Sequence, residues 1–223
     1  MKLISIDVGR VTWLFPVEEI LPIGGAEGPN IVQAIASRYA FTQSPSNPTR
    51  EDIDKNGLKF LAGHFEHEKN RANITEFAVF NDGIVVSSVS TEAAEAFFED
   101  VYAFLRSNFG FREIVSTVKR VYLSNLVVEL GPSLSKALDS YAQIAKVIGE
   151  KLNKLDGSKH PVELARLDFA LNKDPEFRPP NIPRFTIEKR AHAPFSQHRY
   201  FSSAPIPTKD HLTMLEHLEK LWK

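Results

Sequence analysis

Hydrophobic and polar positions alternate most clearly between Thr75 and Gly110. Phe77 and Val79 alternate with Glu76 and Ala78, the period-two pattern of a half-buried strand. Asn81-Asp82-Gly83 follows and predicts a hairpin turn, because glycine accepts the positive φ that tight turns need. Ile84 to Val89 is rich in β-branched residues and reads as the return strand. Ser90 or Thr91 caps the next helix, and Glu92 and Glu95 lie in or near its first turn, where the helix dipole favours anions. Ala94, Phe97, Phe98, Val101 and Leu105 then share one helical face, and Gly110 ends the run. A hairpin with a covering helix is a two-layer unit, so the core gets both of its layers here.

The remaining elements can be placed around that unit. Leu3 to Val8 and Val11 to Val17 read as one or two strands, with Pro16 placing the second at an edge or a bend. Glycine and proline make Leu21 to Asn30 a loop, and Asn30 caps a short helix over Ile31 to Arg38. The polar stretch 43–56 reads as an exposed, mobile loop. Leu58 to Phe65 is strand-like, and Ile114 to Leu130 is one long strand or two, bent near Ser124-Asn125. Pro132 to Leu155 carries the strongest helical pattern. Leu134, Leu138, Tyr141, Ala145, Ile148, Leu152 and Leu155 recur as a heptad seam, Ile144 and Val147 widen it, and Gly157 ends it. Val162 to Leu171 and Arg184 to Lys189 are further strands, separated by an extended proline-rich segment at 174–183. Tyr200-Phe201 pairs briefly, and Thr208 caps a last helix whose Leu212, Leu215, Leu218 and Trp222 face inward. The order predicts an α+β fold in a single domain, 1–223. A mainly antiparallel sheet is covered by a long helix at about 132–155 and by the hairpin–helix unit at 75–110.

Composition narrows the functional classes. The chain has 223 residues, 43% hydrophobic and 25% charged, which is enough to bury a core without staples. A formal net charge of −1 gives no global field for nucleic acid or an anionic membrane. With no cysteine, disulfides, thiolate catalysis and cysteine-ligated metal are excluded. The apolar run in MKLISIDVGR is too short for a signal peptide, and none approaches a membrane span, so the expected location is the cytoplasm.

Three stretches carry candidate chemistry. Ile4-Ser5-Ile6-Asp7-Val8-Gly9 resembles the first strand of RNase H-like nucleases and actin-like ATPases. The resemblance implies a metal-binding role for Asp7, with Gly9 letting backbone approach a phosphate; Glu129 and Asp168, each on a predicted strand, are the candidate further carboxylates. In His64-Phe65-Glu66-His67-Glu68, a strand would put His64, Glu66 and Glu68 on one face as potential ligands. The cluster lacks the zincin order, and a solvated strand end is the favoured reading. Arg178, Arg184, Lys189, Arg190, His192, His198 and Arg199 interleave with Phe177, Phe185, Phe195, Tyr200 and Phe201. That mixture suits single-stranded nucleic acid or a protein hot spot. Asp174, Glu176 and Glu188 dilute its charge and favour the protein interface. The glycines at 24, 25 and 28 lack a Walker lysine, and Ser202-Ser203 lacks a nucleophile-elbow context.

The function expected from the sequence is non-enzymatic: a protein-interaction or assembly component of a cytosolic complex, without a cofactor or membrane association. Its partner is itself or another subunit. Leu138, Tyr141 and Ile148 on the long helix, and Arg184, Arg199, Tyr200 and Phe201 in the arginine–aromatic segment, are the expected contact residues. A metal-dependent nuclease or phosphohydrolase using Asp7 is the alternative, followed by a single-stranded nucleic-acid binder at 178–201.

Overall fold

A computed structural model describes residues 1–24, 28–46, 56–67, 70–131, 139–159, 161–170 and 182–222. Its strands are β1 (Lys2–Leu14), β2 (Leu58–His67), β3 (Asn70–Phe80), β4 (Gly83–Ser88), β5 (Lys119–Glu129), β6 (Arg166–Phe169), β7 (Phe185–Lys189) and β8 (Arg199–Ala204). Among the described residues the α-helices are α1 (Gly28–Arg38), α2 (Thr91–Phe109), α3 (Asp139–Asp156) and α4 (Thr208–Leu221). The fold is α+β, with one antiparallel sheet in the order β2-β3-β4-β1-β5-β8-β7-β6. The chain divides into two compact units: Val8–Ser124 with Ile206–Thr208, and Met1–Asp7 with Asn125–Pro205 and Lys209–Lys223.

The first unit is built on the hairpin and helix predicted from the pattern. Phe80 pairs with Gly83 across the turn, and Asn81 and Asp82 carbonyls accept from Val17 and Phe15 backbone N–H at 2.9 and 3.1 Å. Ser90 caps α2 by accepting from Ala93 N–H at 3.1 Å, and Gly110 ends the helix in the left-handed region at φ 67°. β3 begins earlier than Thr75 because Ala72 and Ile74 continue the buried alternation. Thr75 is an extra residue opposite β4, since Ile74 pairs with Ser88 and Glu76 with Ser87. β1 runs unbroken to Leu14, and Pro16 lies beyond its end.

Helices α1 and α2 bury Ile31, Val32, Ile35, Phe97, Phe98 and Val101 against Val11, Trp13, Phe60, Phe77, Ile84 and Val86 of the sheet. Trp13 stacks on Phe98 with ring centroids 4.3 Å apart. On the opposite face, Arg10 donates to Ser87 Oγ at 2.8 Å and to Glu76 Oε2 at 3.1 Å, linking three adjacent strands. Between the helices and the sheet lies an apolar cavity of about 300 Å³.

The second unit has a smaller core: Leu126, Val128 and Leu130 with Ile187, Tyr200 and Leu215. Leu212 and Leu218 of α4, and Trp222 just beyond its end, pack against it, as their spacing predicts. His211 is fully buried, with Nε2 2.9 Å from Ser202 Oγ. The Ser202 hydroxyl donates to Thr186 carbonyl at 3.0 Å, so His211 Nε2–H is the donor to Ser202. No helix among the described residues is long and apolar enough to cross a membrane.

Candidate interaction surface

Helix α3 carries Gly149 at mid-length, among alanine, leucine, lysine and glutamate residues that favour helix. A glycine in mid-helix costs about 1 kcal/mol relative to alanine. The helix ends at Gly157, which takes φ 75° and whose N–H donates to Asn153 carbonyl at 2.9 Å. An amphipathic helix usually turns its large apolar residues inward. Here the small ones are buried: Ala145 is 8% exposed and Gly149 is buried. The large ones face solvent, with Ile144, Val147 and Leu155 exposed at 56%, 54% and 82%, and Tyr141, Ile148 and Leu152 at 49%, 45% and 39%. Leu138, at the N-terminal side of the expected seam, lies outside the described residues.

Tyr141, Ile144, Ile148, Leu152 and Leu155 follow one another at intervals of three, four, four and three. At 100° per residue all five fall within about 40° of the direction of Ile148. The stripe therefore reads the same from either end, with Ile148 at its centre.

The arginine–aromatic segment is split by strand alternation. Tyr200 is 2% exposed and belongs to the second unit's core, with Lys189 Nζ 5.5 Å from its ring centre. Arg199 and Phe201 point the other way and are half-buried. Arg184 is exposed, just before β7, and Arg178 lies outside the described residues.

Asp7, Glu129 and Asp168 each face an arginine. Asp7 is 3.3 Å from Arg190 and also accepts from Ser5 Oγ at 2.9 Å. Glu129 is 3.5 Å from Arg199, and Asp168 meets Arg166 at 2.9 Å. The Asp168 hydrogen bond, followed by its charge, raises the pKa of Arg166. Among the described residues no group of three His, Asp or Glu side chains is arranged to hold a metal ion. Gly9 has a packing role: a Cβ there would lie 2.2 Å from the Ser90 carbonyl carbon and 2.3 Å from Thr91 N.

His64 and Glu66 line a polar cleft in the first unit, of about 500 Å³, with Arg38, Tyr39, Arg71 and Asp100. Glu68 lies outside the described residues. His64 Nδ1 is 3.0 Å from Asn73 Oδ1. Tyr39 donates its hydroxyl proton to Asp100 at 2.6 Å, and Arg38 donates to both Tyr39 and Asp100 at 3.1 Å. Burial, then the Asp100 hydrogen bond, pushes the Tyr39 hydroxyl well above its ordinary pKa. The triad joins α1 to α2 across distant sequence positions, and no local motif announces it.

No family model matches the chain. No curated protein matches it either. A solved structure described as Methanococcus jannaschii TBP is similar at a TM-score of 0.46 and 12% identity, over 100% of this chain and 98% of that one. A likeness at that score carries no argument about fold or function.

Proposed function

We propose that this chain is a non-enzymatic assembly component that associates with a second copy of itself through α3. The observation that carries this is the inverted helix, with alanine and glycine buried and six large apolar side chains in solvent. Contiguous exposed apolar surface of this kind marks interaction sites. Symmetry favours a second copy over an unrelated partner. A two-fold axis at Ile148 sets two α3 helices antiparallel, with Tyr141 opposite the second copy's Leu155 and Ile144 opposite its Leu152. That is the isologous arrangement of most homodimers. The five stripe side chains together expose a little under three full side chains' worth of surface, roughly 500 Å² per copy. Two copies would bury about 1,000 Å² in all, the least a biological interface should clear. The absence of cysteine fits a reducing compartment such as the cytoplasm.

The same absence supplies the test, because any introduced cysteine is unique. Ile148→Cys should form a disulfide-linked dimer under mild oxidation. A mixture of Tyr141→Cys and Leu155→Cys chains should cross-link to each other while neither links to itself. Self-links at 141 and 155 without the mixed species would mean parallel pairing, and no link at any of the three would remove α3 as the contact.

A further inference from the structure

The first unit's cavity of about 300 Å³ has a lining chemistry that specifies an occupant. Val32 and Ile35 of α1, Val101 and Leu105 of α2, and Phe77 of β3 are among its walls, and among the described residues the lining includes no charged side chain. Among the described lining residues Tyr102 contributes the sole side-chain polar group, and that hydroxyl is already committed. It donates to Arg112 carbonyl at 2.7 Å and accepts from Ile114 N–H at 3.0 Å. A carboxylate, phosphate or ammonium group inside would thus be desolvated with no partner free among the described lining side chains.

One wall is fixed from outside. Val17, Ile20 and Leu21 line the cavity, and Arg112 ties their turn down with three donors. Its backbone N–H donates to Ile20 carbonyl at 2.8 Å, Nε to Leu21 carbonyl at 2.6 Å and Nη2 to Glu18 carbonyl at 3.0 Å. The cavity is thus preformed, as ligand sites usually are, and its volume falls at the lower end of their range. Dry apolar cavities of about half this volume bind benzene, so the space suits about twelve non-hydrogen atoms.

We propose that the first unit binds a neutral, hydrocarbon-rich small molecule in this cavity, at one site per chain. This site is independent of α3. 1-Naphthylamine, an uncharged fluorophore of about the size the cavity accepts, tests it on the whole chain. Its fluorescence should rise saturably to one probe per chain. Val101→Phe and Val32→Phe each fill the cavity from a different helix and should weaken binding by about tenfold or more. Ile148→Glu, on the exposed α3 stripe, should leave binding unchanged. Saturating naphthalene should raise the wild-type melting midpoint by about 3 °C. Non-saturating fluorescence, or binding that survives the filling variants or disappears with Ile148→Glu, would overturn the proposal. Should both filling variants fail to fold, an unchanged wild-type midpoint in naphthalene overturns it alone.

Discussion

At Gly9 the backbone of Ser90–Thr91 occupies the space a side chain would need. Those backbone atoms cannot swing aside, so Gly9→Ala should destabilise the protein by about 2–3 kcal/mol in denaturant titration. A loss of under about 0.5 kcal/mol would mean that the strand and the α2 start separate freely. Tyr39 gives a pH signature. Its folded-state pKa lies above the unfolded value of about 10, so its proton is held more tightly in the native state. The stability it contributes is complete below about pH 10 and is lost as the pH rises further. Tyr39→Phe should cost about 1–2 kcal/mol near neutrality and flatten the alkaline decline in a series of melts. An equally steep decline in the variant would assign it to another group. Neither role is legible locally. Gly9 reads as part of a strand motif, and Tyr39 meets Asp100 only after the chain folds back on itself.

At the scale of elements, legibility follows how local the signal is. The hairpin and α2 are legible almost to the residue, because turn, cap and stop are each encoded within a few positions. The start of β3 is less so, since Ala72 and Ile74 are flanked by Asn70, Arg71 and Asn73 and their burial depends on the rest of the sheet. The seam of α3 is legible, but its direction is not. Periodicity marks a stripe and leaves open whether it meets the chain's own core or a partner. Burial of Ala145 and Gly149 settles the inward side and yields a paired prediction. Ala145→Glu puts a charge on that side and should lower the melting midpoint by several degrees, or unfold the unit. Ile148→Glu should leave circular dichroism and the monomer's fold intact while removing association. Equal melting losses from both would mean that the stripe is core. The three carboxylate–arginine pairs illustrate what spacing cannot give, since Asp7 and Arg190 meet from opposite ends of the chain.

At the scale of the whole molecule, the strand classes follow from the pattern and the strand order does not. β1 lies between β4 and β5, although β2 follows it in the chain, because pairing is decided by contacts distant in sequence. The division into two units, each with its own buried cluster, is likewise a product of that order. Cavity and helix stripe occur in different units, so ligand binding and association should be separable by mutation. Association through α3 predicts the mass of the chain in solution. Light scattering across a dilution series should give twice the 25.1 kDa chain mass for the wild type, falling to the chain mass in Ile148→Glu. A wild-type mass equal to that of one chain at every concentration, or a dimer that survives Ile148→Glu, would contradict it.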